Sequence, residues 1–569
     1  MSRAAALGAA LAASLVLPAA AWSHAALLKT IPAASVVVNA SPPKVGLVFS
    51  EAVEPRFAIV SVTDANAKQL TAGSPHRSAA NVDELDVPLR QLPEGWYLVV
   101  WRVISVDGHP VRGAYTFAVG PNPGPAPQFA IPSLSETAAT PTLVAARWIV
   151  FLSLLTALGL LVLRLGTVRS LVVRVPSTRL RAVSIAFWIA LAIALVATPI
   201  YVLLATAQFA LRSFWSFGAL VPLLRVSAFG RGYLDLELVL ALFGFAAGVA
   251  LWLDRPERTR RSVAALLALT GAALAGGAAL LVPGTAGHAA QTSPRALSLA
   301  LDWLHLTAGS VWIGGLIGLL VLWWSLAPER RVAGLAIAVP RFSNTAFVAV
   351  VVLLGSGIGA SVVRLPTLAS LWQTSYGQAI IVKSSLLACA MLVAAVNLLR
   401  TKPQLAAAAT APRAAVLLRR LVNVEVLIVS GALVAASVLS SLPPPPKALA
   451  ALGRVSAHTG PGPVTQIVDE SGYRLELHVT PNRAAAQNDF AVRISHAGAP
   501  LHGADVVATF TMLDMEMPAQ SYRLAESSPG LYEHASPALV MVGRWGLSFD
   551  VRPRSGKPFT VLVVDRANG

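Results

Sequence analysis

Residues 298–326 read SLALDWLHLTAGSVWIGGLIGLLVLWWSL. One acid, Asp302, and one imidazole, His305, stand among residues that are otherwise mostly apolar or small. About 20 consecutive apolar residues suffice for a helix to cross a bilayer. The stretch therefore predicts a membrane-spanning helix, and it decides the fold class of the chain.

Seven further stretches of the same character surround it. The predicted spans are residues 142–163, 182–206, 233–253, 262–283, 298–326, 343–363, 379–399 and 418–441. A shorter apolar patch, Phe214 to Leu224, contains Pro222 and has an arginine on each side, so we interpret it as an interfacial loop. The sequence thus predicts an eight-helix transmembrane bundle over residues 142–442.

Composition supports a membrane protein, because 55% of the residues are hydrophobic and only 12% are charged. The net charge of +17 does not indicate nucleic-acid binding, since the arginines lie mainly in short loops between apolar stretches. Basic residues favour cytoplasmic loops. Their alternation predicts a membrane protein with both terminal domains on the exported side. The loops predicted to be cytoplasmic include Arg164, Arg169, Arg261, Arg341 and Arg400.

Residues 1–23 have the parts of a secretory signal peptide: Arg3, an apolar stretch, and the small residues Ala21 and Ser23 at positions −3 and −1. Cleavage after Ser23 makes His24 the first residue. A terminal histidine offers one metal ion both an imidazole and an α-amino group, a chelate that suits Cu(II). The alternative is cleavage elsewhere, which leaves His24 as an ordinary surface residue.

Polar segments with alternating hydrophobicity flank the membrane region and predict two β-sandwiches, giving a mixed fold class. In the first segment the predicted strands are 45–49, 58–62, 97–103 and 114–119. The expected domains are a signal peptide (1–23), a β-sandwich (24–120), a Pro-rich linker (121–141), the membrane domain (142–442), a second linker (443–470) and a second exported β-sandwich (471–569). The single cysteine, Cys389, excludes a disulfide framework.

The first sandwich contains a candidate metal site. Asp107 and His109 are two residues apart, hence on one side of an extended backbone, and Gly108 between them permits close approach. With His24 they form a nitrogen and oxygen donor set of the kind that favours Cu(II). Without His24, the Asp-Gly-His segment is more typical of a structural turn than of a metal site.

Residues 24–119 resemble the CopC periplasmic copper-binding proteins. The resemblance rests on the histidine that follows the signal peptide, on LVFSEAVEPRF (Leu47 to Phe57) and on DGHPVRGAYTFAV. It implies a Cu(II) site whose ligands are His24, Asp107 and His109, with Glu51 as a weak ligand or a group beside them. Because no methionine lies between His24 and Arg147, we expect no Cu(I) site in this domain.

A second candidate site lies in the membrane. Asp302 and His305 are three residues apart, and Trp312 follows two turns later, so the three side chains share a helix face. Gly309, Gly314 and Gly315 predict close helix approach. The segments GHA, which contains His288, and HLTAGSVWIGGL resemble the CopD family. This resemblance implies copper passage with His288 and His305 in contact with copper; the alternative for each is a hydrogen-bonded residue between helices.

Soft ligands are few. Cys389 and Met391 suit Cu(I) deep in the bundle, although packing explains them better. Met512, Met515 and Met517 lie close together in TFTMLDMEMPAQ, and their thioethers bind Cu(I) without losing a proton. His502 or His534 would complete such a site. The region resembles the YtkA-like exported modules through PGLYEHASPALVMVGRWGLSF, and the alternative is a methionine-rich edge that packs against a neighbour.

Together these patterns predict a membrane copper-handling protein, not an enzyme. The exported domain captures Cu(II) and passes copper to or across the membrane, in copper import or copper resistance, and periplasmic copper chaperones or cuproenzymes are the expected protein partners. One alternative is a membrane redox protein in which His288 and His305 bind a b-type haem. Another is an assembly factor that delivers copper without transport.

Overall fold

The computed structural model describes residues 27–34, 36–104, 110–124, 127, 129, 140–175, 178, 180–209, 211, 213–226, 228–258, 260–285, 287–407, 409–442, 444–445, 455–484, 486–513, 519–540 and 542–568. These residues form two compact units. One unit contains the helices. The other contains the β-rich segments that precede and follow the helices in the chain.

Eight helices within the described residues are long and apolar enough to cross a membrane, which confirms the predicted number. They are α1 (Pro141–Val162), α2 (Arg181–Phe209), α3 (Ala228–Leu253), α4 (Val263–Thr285), α5 (Arg295–Ser325), α6 (Pro328–Arg364), α7 (Ser375–Val396) and α8 (Ala411–Leu439). A π-helical turn extends α1 over Leu163–Thr167, and another extends α7 over Asn397–Thr401. The bundle follows from hydropathy, because each stretch must satisfy its backbone hydrogen bonds within itself.

Helices α1 and α5 form the centre of the bundle. The most apolar part of α1 is 72% buried and that of α5 is 61% buried, against 6% for α7. A Cβ on Gly314 would lie 2.5 Å from the Gly159 Cα, so the two backbones touch at this crossing. Gly315 likewise leaves room for the Phe342 ring, as predicted, whereas a Cβ on Gly309 would make only an ordinary contact.

Several predictions about loops were wrong. Arg164 and Arg400 lie in the π-helical turns that extend α1 and α7, and not in loops. The patch at Phe214 to Leu224 is mostly helical, forming a helix over Phe217–Val226 in spite of Pro222. This helix packs against α3, and that packing offsets the hydrogen bond that a proline cannot donate. Helix α6 begins at Pro328, so Arg341 lies inside a helix and not in a loop. A proline in the first turn is compatible with a helix because its missing N–H has no partner there.

Arginines at the end of the bundle predicted to be cytoplasmic converge on one carboxylate. Asp254, which is 5% exposed, accepts hydrogen bonds from Arg164 at 3.0 Å and from Arg169 at 2.9 Å. Arg261 Nε lies 3.8 Å from the same side chain. These basic residues therefore link the ends of α1, α3 and α4 as well as marking topology.

The N-terminal β segment is a sandwich of two four-stranded sheets, as predicted. One sheet has the strand order β1-β3-β6-β5 and the other β2-β8-β7-β4. The strands are β1 (Leu27–Ile31), β2 (Val37–Val38), β3 (Lys44–Phe49), β4 (Ile59–Thr63), β5 (His76–Arg77), β6 (Glu84–Pro88), β7 (Gly95–Ile104) and β8 (Pro110–Val119). Phe49 and Trp101, from opposite sheets, meet edge to face with ring centroids 5.4 Å apart.

The described part of the predicted linker after Gly120 packs against this sandwich. Trp96 Nε1 donates a hydrogen bond to the Gly124 carbonyl at 2.8 Å. Phe129 is 7% exposed and contacts Leu98 and Ala114. These residues are therefore held by the sheet and do not form a free tether.

The C-terminal β segment is also a two-sheet sandwich, with strand orders β10-β11-β12-β17-β16 and β15-β14-β18-β19-β9. A short strand, β13 (Ala499–Pro500), pairs with β12. The other strands are β9 (Ala457–His458), β10 (Val464–Glu470), β11 (Tyr473–Thr480), β12 (Asn488–His496), β14 (Asp505–Met512), β15 (Gln520–Arg523), β16 (Ala525–Ser528), β17 (Leu531–Ser536), β18 (Gly543–Arg552) and β19 (Phe559–Ala567). Alternating residues fill the core, where the rings of Phe490 and Phe510 are 4.6 Å apart.

Candidate metal sites

The predicted Cu(II) ligands His24, Asp107 and His109 lie outside the described residues. The residues that flank them are described, and they lie at one end of the N-terminal sandwich. Leu27, three residues after His24, pairs with Phe49 at the end of β3. Glu51 follows two residues later and is half-buried.

The third flank comes from the hairpin of β7 and β8. Ile104 and Pro110 pair across this hairpin, so they bracket the segment that contains Asp107 and His109. Trp101, three residues before the end of β7, meets the Phe49 ring. The chain positions next to all four predicted groups therefore emerge at the same end of the fold.

The membrane unit contains a cavity of about 760 Å³ between α5, α6, α7 and the segment that joins α6 to α7. Leucine is the most common residue on its walls, which also contain isoleucine. The polar side chains on the wall include Asp302, His305, Arg364, Tyr376 and Lys383. An apolar cavity with a few converging polar groups is the usual form of a binding site.

Each ring nitrogen of His305 has a hydrogen-bond partner. Nδ1 lies 3.1 Å from the Leu353 carbonyl oxygen. Because a carbonyl oxygen only accepts hydrogen bonds, Nδ1 carries the ring proton and donates a hydrogen bond to it. Ser356 Oγ lies 3.2 Å from the same nitrogen. Nε2 is left with a lone pair, and Lys383 Nζ lies 3.2 Å from it. A copper ion that binds Nε2 must therefore replace the lysine.

Asp302 faces the same cavity as His305, as predicted, but its partner is an arginine. Arg364 Nη2 donates to Asp302 Oδ1 at 2.7 Å. Trp312 was expected on the face of α5 that carries Asp302 and His305. The Trp312 side chain is instead directed to α8, where its Nε1 donates a hydrogen bond to Glu425 Oε1 at 2.9 Å, and both side chains are buried.

The remaining membrane candidates differ in what the structure describes. His288 begins a four-residue helix, His288–Gln291, and its side chain lies outside the description. Cys389 is exposed on α7, where it faces away from the bundle. Met391 packs partly against the hydrophobic core. The positions of Cys389 and Met391 favour packing over a shared soft-ligand site.

The methionine cluster of the C-terminal domain is only partly described. Met512 is 3% exposed and belongs to the sandwich core, so it is a packing residue where an exposed thioether was expected. Met515 and Met517 lie outside the described residues. Of the proposed helpers, His502 is hydrogen bonded to Glu526 at 2.6 Å, and this bond holds the pKa of the Glu526 carboxyl below its usual value. His534 is stacked on Tyr522.

Among the described side chains, no group of three or more His, Cys, Asp or Glu is arranged to hold a metal ion. Sequence reasoning missed Lys383 and Glu425, although each is an ionisable residue inside a predicted span. Such residues are costly in a membrane and usually functional. That cost was the signal that could have identified them.

Comparison with known proteins gives three matches in order along the chain. A CopC domain model matches residues 27–120, a Copper resistance protein D model matches residues 336–439, and a YtkA-like model matches residues 468–550. The second match includes Lys383 and Glu425 and begins after His288 and His305.

Two relatives and one solved structure extend these matches. Copper transport protein CutJ of Bacillus subtilis (strain 168) is 27% identical over 542 residues, which are 93% of each chain. Copper resistance protein C of Escherichia coli is 36% identical over 106 residues, which are 17% of this chain and 83% of the relative. The crystal structure of CopC from Methylosinus trichosporium OB3b is 36% identical and covers 18% of this chain and 98% of its own, with a TM-score of 0.17.

The three domain models and the match to CutJ follow the domain order described above. The chain therefore belongs to the CopC and CopD family of copper transport and copper resistance proteins, as a membrane protein in which CopC, CopD and YtkA-like domains are fused in that order.

Proposed function

We propose that this protein captures Cu(II) outside the cell membrane with its N-terminal domain and passes the ion to its own helical unit for movement across the membrane. The capturing ligands are His24, Asp107 and His109, and Glu51 lies beside them or binds weakly. The signal peptide ends at Ser23, and both β domains lie on the outer side of a bacterial inner membrane. Periplasmic copper chaperones are the expected donors.

The observation that carries this proposal is the convergence of three chain positions at one end of the N-terminal sandwich. Leu27, Glu51 and the hairpin of β7 and β8 are separated in sequence and meet there through strand pairing and the contact between Phe49 and Trp101. An amine, two imidazoles and carboxylates at such a place make a tetragonal donor set that Cu(II) prefers.

The receiving site is the cavity lined by Asp302 and His305. In the predicted topology, the end of α6 at Arg364 and the first turn of α7, which contains Tyr376, lie on the outer side. The cavity is therefore reached from the side where copper is captured. Fusion of the two domains in one chain keeps the captured ion near this entrance and raises its local concentration. No step of the proposal needs catalysis by the protein.

Copper stoichiometry and electron paramagnetic resonance of the purified full-length protein test the capture site. We expect one Cu(II) per chain in the wild type and none at this site in His24→Ala. His76→Ala is the matched control, because His76 is an exposed histidine of the same domain, on β5. A mature chain that begins at a residue other than His24, or a His24→Ala protein that retains its Cu(II), would overturn the assignment.

Uptake of labelled copper into vesicles that contain the protein tests passage. We expect uptake by the wild type and a large loss in His305→Ala, with Cu(II) still bound by the N-terminal domain. Capture without any uptake would support delivery to a partner and reject transport. The copper content of cells lacking the gene gives the direction: a fall indicates import, and a rise indicates resistance.

A further inference from the structure

Glu425 is a buried acid near the middle of α8, and it forms no ion pair among the described residues. It is 2% exposed. Both oxygens accept hydrogen bonds from uncharged groups: Oε1 from Trp312 Nε1 at 2.9 Å, and Oε2 from Asn397 Nδ2 at 3.4 Å. An ionised carboxylate at this depth is expensive unless a cation stands beside it.

Two geometric details favour the neutral acid. The 3.4 Å contact with Asn397 is longer than the roughly 2.7–2.9 Å that is usual when one partner of a hydrogen bond is charged. Asn397 Oδ1 is buried without a hydrogen-bond partner among the described atoms. The two ends of an amide can exchange places by a rotation. After that rotation, Oδ1 faces Glu425 and can accept a hydrogen bond from the O–H of a neutral carboxyl group.

Basic groups on the elements packed against α8 have other contacts. The packed elements are α1, α5, α6, α7, the π-helical turn Asn397–Thr401 and the short helix Lys402–Ala406. Arg147 of α1 donates to Tyr201 and to the Ser437 carbonyl, and Arg364 of α6 forms an ion pair with Asp302. Lys383 of α7 and His305 of α5 are hydrogen bonded to each other, and Lys402 is hydrogen bonded to Asn344. Arg419 of α8 lies over the Trp323 ring. Arg341 of α6 and Arg400 of the turn form no ion pair with Glu425 in the described structure.

The position of this acid connects it to the cavity. Trp312 follows His305 by seven residues on α5, which places it about 10 Å deeper along the helix axis at 1.5 Å per residue. Asn397 opens the π-helical turn at the end of α7. Turns of this kind are rare and often occur at functional sites.

We propose that Glu425 is a proton-binding site inside the membrane, held as the neutral acid by its burial and by the rotated amide of Asn397, and that passage of a copper ion through the bundle releases its proton. In that step the O–H bond of Glu425 breaks, the carboxylate keeps the electron pair, and a water molecule takes the proton. The positive charge of the passing ion compensates the new negative charge. The coupling to copper rests on the proposed function; the protonation of Glu425 at rest does not.

Infrared spectroscopy of the full-length protein in lipid nanodiscs tests the protonation without any copper. The spectrum of the wild type minus that of Glu425→Gln should show one carbonyl band of a protonated carboxyl group, which shifts in heavy water. Glutamine has the shape of a neutral glutamic acid and should keep the fold. Trp312→Phe removes one donor and should move the band. Absence of the band from the wild-type difference spectrum would overturn the proposal.

Proton release in vesicles tests the coupling. With a pH-sensitive dye, we expect one proton for each copper ion moved by the wild type and no copper-driven release by Glu425→Gln. Glu237→Gln is the matched control, since Glu237 is another acid within a spanning helix, α3, and it should behave like the wild type. Unchanged proton release in Glu425→Gln would overturn the coupling. If the protein shows the carboxyl band but moves no copper, the protonation of Glu425 is supported and only the proposed function is rejected.

If Glu425→Gln fails to fold, Glu425→Asp gives the same information. It keeps a titratable carboxyl group on a shorter side chain, so the band should persist at a shifted position and proton release should be slower. Loss of the band in a folded Glu425→Asp protein would count against the assignment.

Discussion

Lys383 Nζ lies 3.2 Å from His305 Nε2 inside the helical unit, so the lysine side chain occupies the one lone pair that this imidazole could offer to a metal ion. The opposite ring nitrogen is fixed by the Leu353 carbonyl. The site is therefore closed to copper until the lysine moves. Such an arrangement suits passage, because an ion that binds too tightly would not leave.

Removing this lysine should make the cavity retain copper. In Lys383→Leu the imidazole lone pair is free, and we expect copper to bind the membrane unit roughly tenfold more tightly, the equivalent of about 1.4 kcal/mol for a lost competing hydrogen bond. Copper titration in a His24→Ala background isolates this site. Uptake into vesicles should fall because release becomes slow.

The matched control is Lys402→Leu, which removes a lysine that binds Asn344 and does not touch His305. Its copper affinity should equal that of the parent. Equal affinities for all three proteins would mean that Lys383 does not compete with copper for the imidazole.

Close approach of α1 and α5 should depend on single glycines. A methyl group at Gly314 would lie 2.5 Å from the Gly159 Cα, which forces the helices apart. We expect Gly314→Ala to destabilise the helical unit by about 1–3 kcal/mol, as overpacking does elsewhere. Thermal unfolding in detergent measures this. Gly309→Ala is the control, since its methyl group meets Leu353 at an ordinary 3.6 Å, and a loss of similar size there would contradict the explanation.

Much of this fold was predictable, because the physical rules that produce it are local. A membrane requires long apolar helices, so eight stretches of sequence gave eight spans. Alternation in segments such as Asp505–Met512 gave the strands of the sandwiches. The helical start of α6 at Pro328 was missed because its first turns contain arginines and extend beyond the apolar stretch.

The candidate sites were less predictable, since they depend on which elements meet. Nothing near His305 in the sequence indicates that Lys383, on another helix, lies at its Nε2. Trp312 was assigned to the face of Asp302 by helical spacing alone, yet its partner is Glu425 on α8. Met512 looked like an exposed ligand because methionines cluster around it, but the alternation of β14 turns it into the core.

The carboxylate at the predicted inner end of the bundle should be important for stability. Asp254 is buried and receives two arginine hydrogen bonds, with a third arginine close by. Asp254→Asn leaves these cations without their counter-ion, and we expect a loss of about 3–5 kcal/mol. Unfolding in denaturant measures it. The control is Asp505→Asn, which breaks an exposed pair with Arg523 and should cost less than about 1 kcal/mol. Similar losses in both variants would contradict the role of burial.

Acid should loosen the C-terminal sandwich through His534. Burial lowers the pKa of this imidazole below its ordinary value of 6.5, its Nε2 is buried without a hydrogen-bond partner among the described atoms, and its ring stacks on Tyr522 at 4.6 Å. A group whose pKa is lower in the folded state binds more protons when the protein is unfolded. Its contribution to the stability of the fold is therefore complete above pH 6.5 and is lost as the pH falls toward the pKa of the folded state.

We therefore expect hydrogen exchange in β17 of the full chain to accelerate between pH 6.5 and 5, after correction for the intrinsic pH dependence of exchange. His534→Phe keeps a stacked ring that cannot be protonated, and it should remove most of this acceleration. His496→Phe is the matched control, since the His496 ring also lies against a tyrosine ring, that of Tyr473, but at an exposed position. If the acceleration survives in His534→Phe and disappears in His496→Phe, the titrating group has been assigned to the wrong histidine.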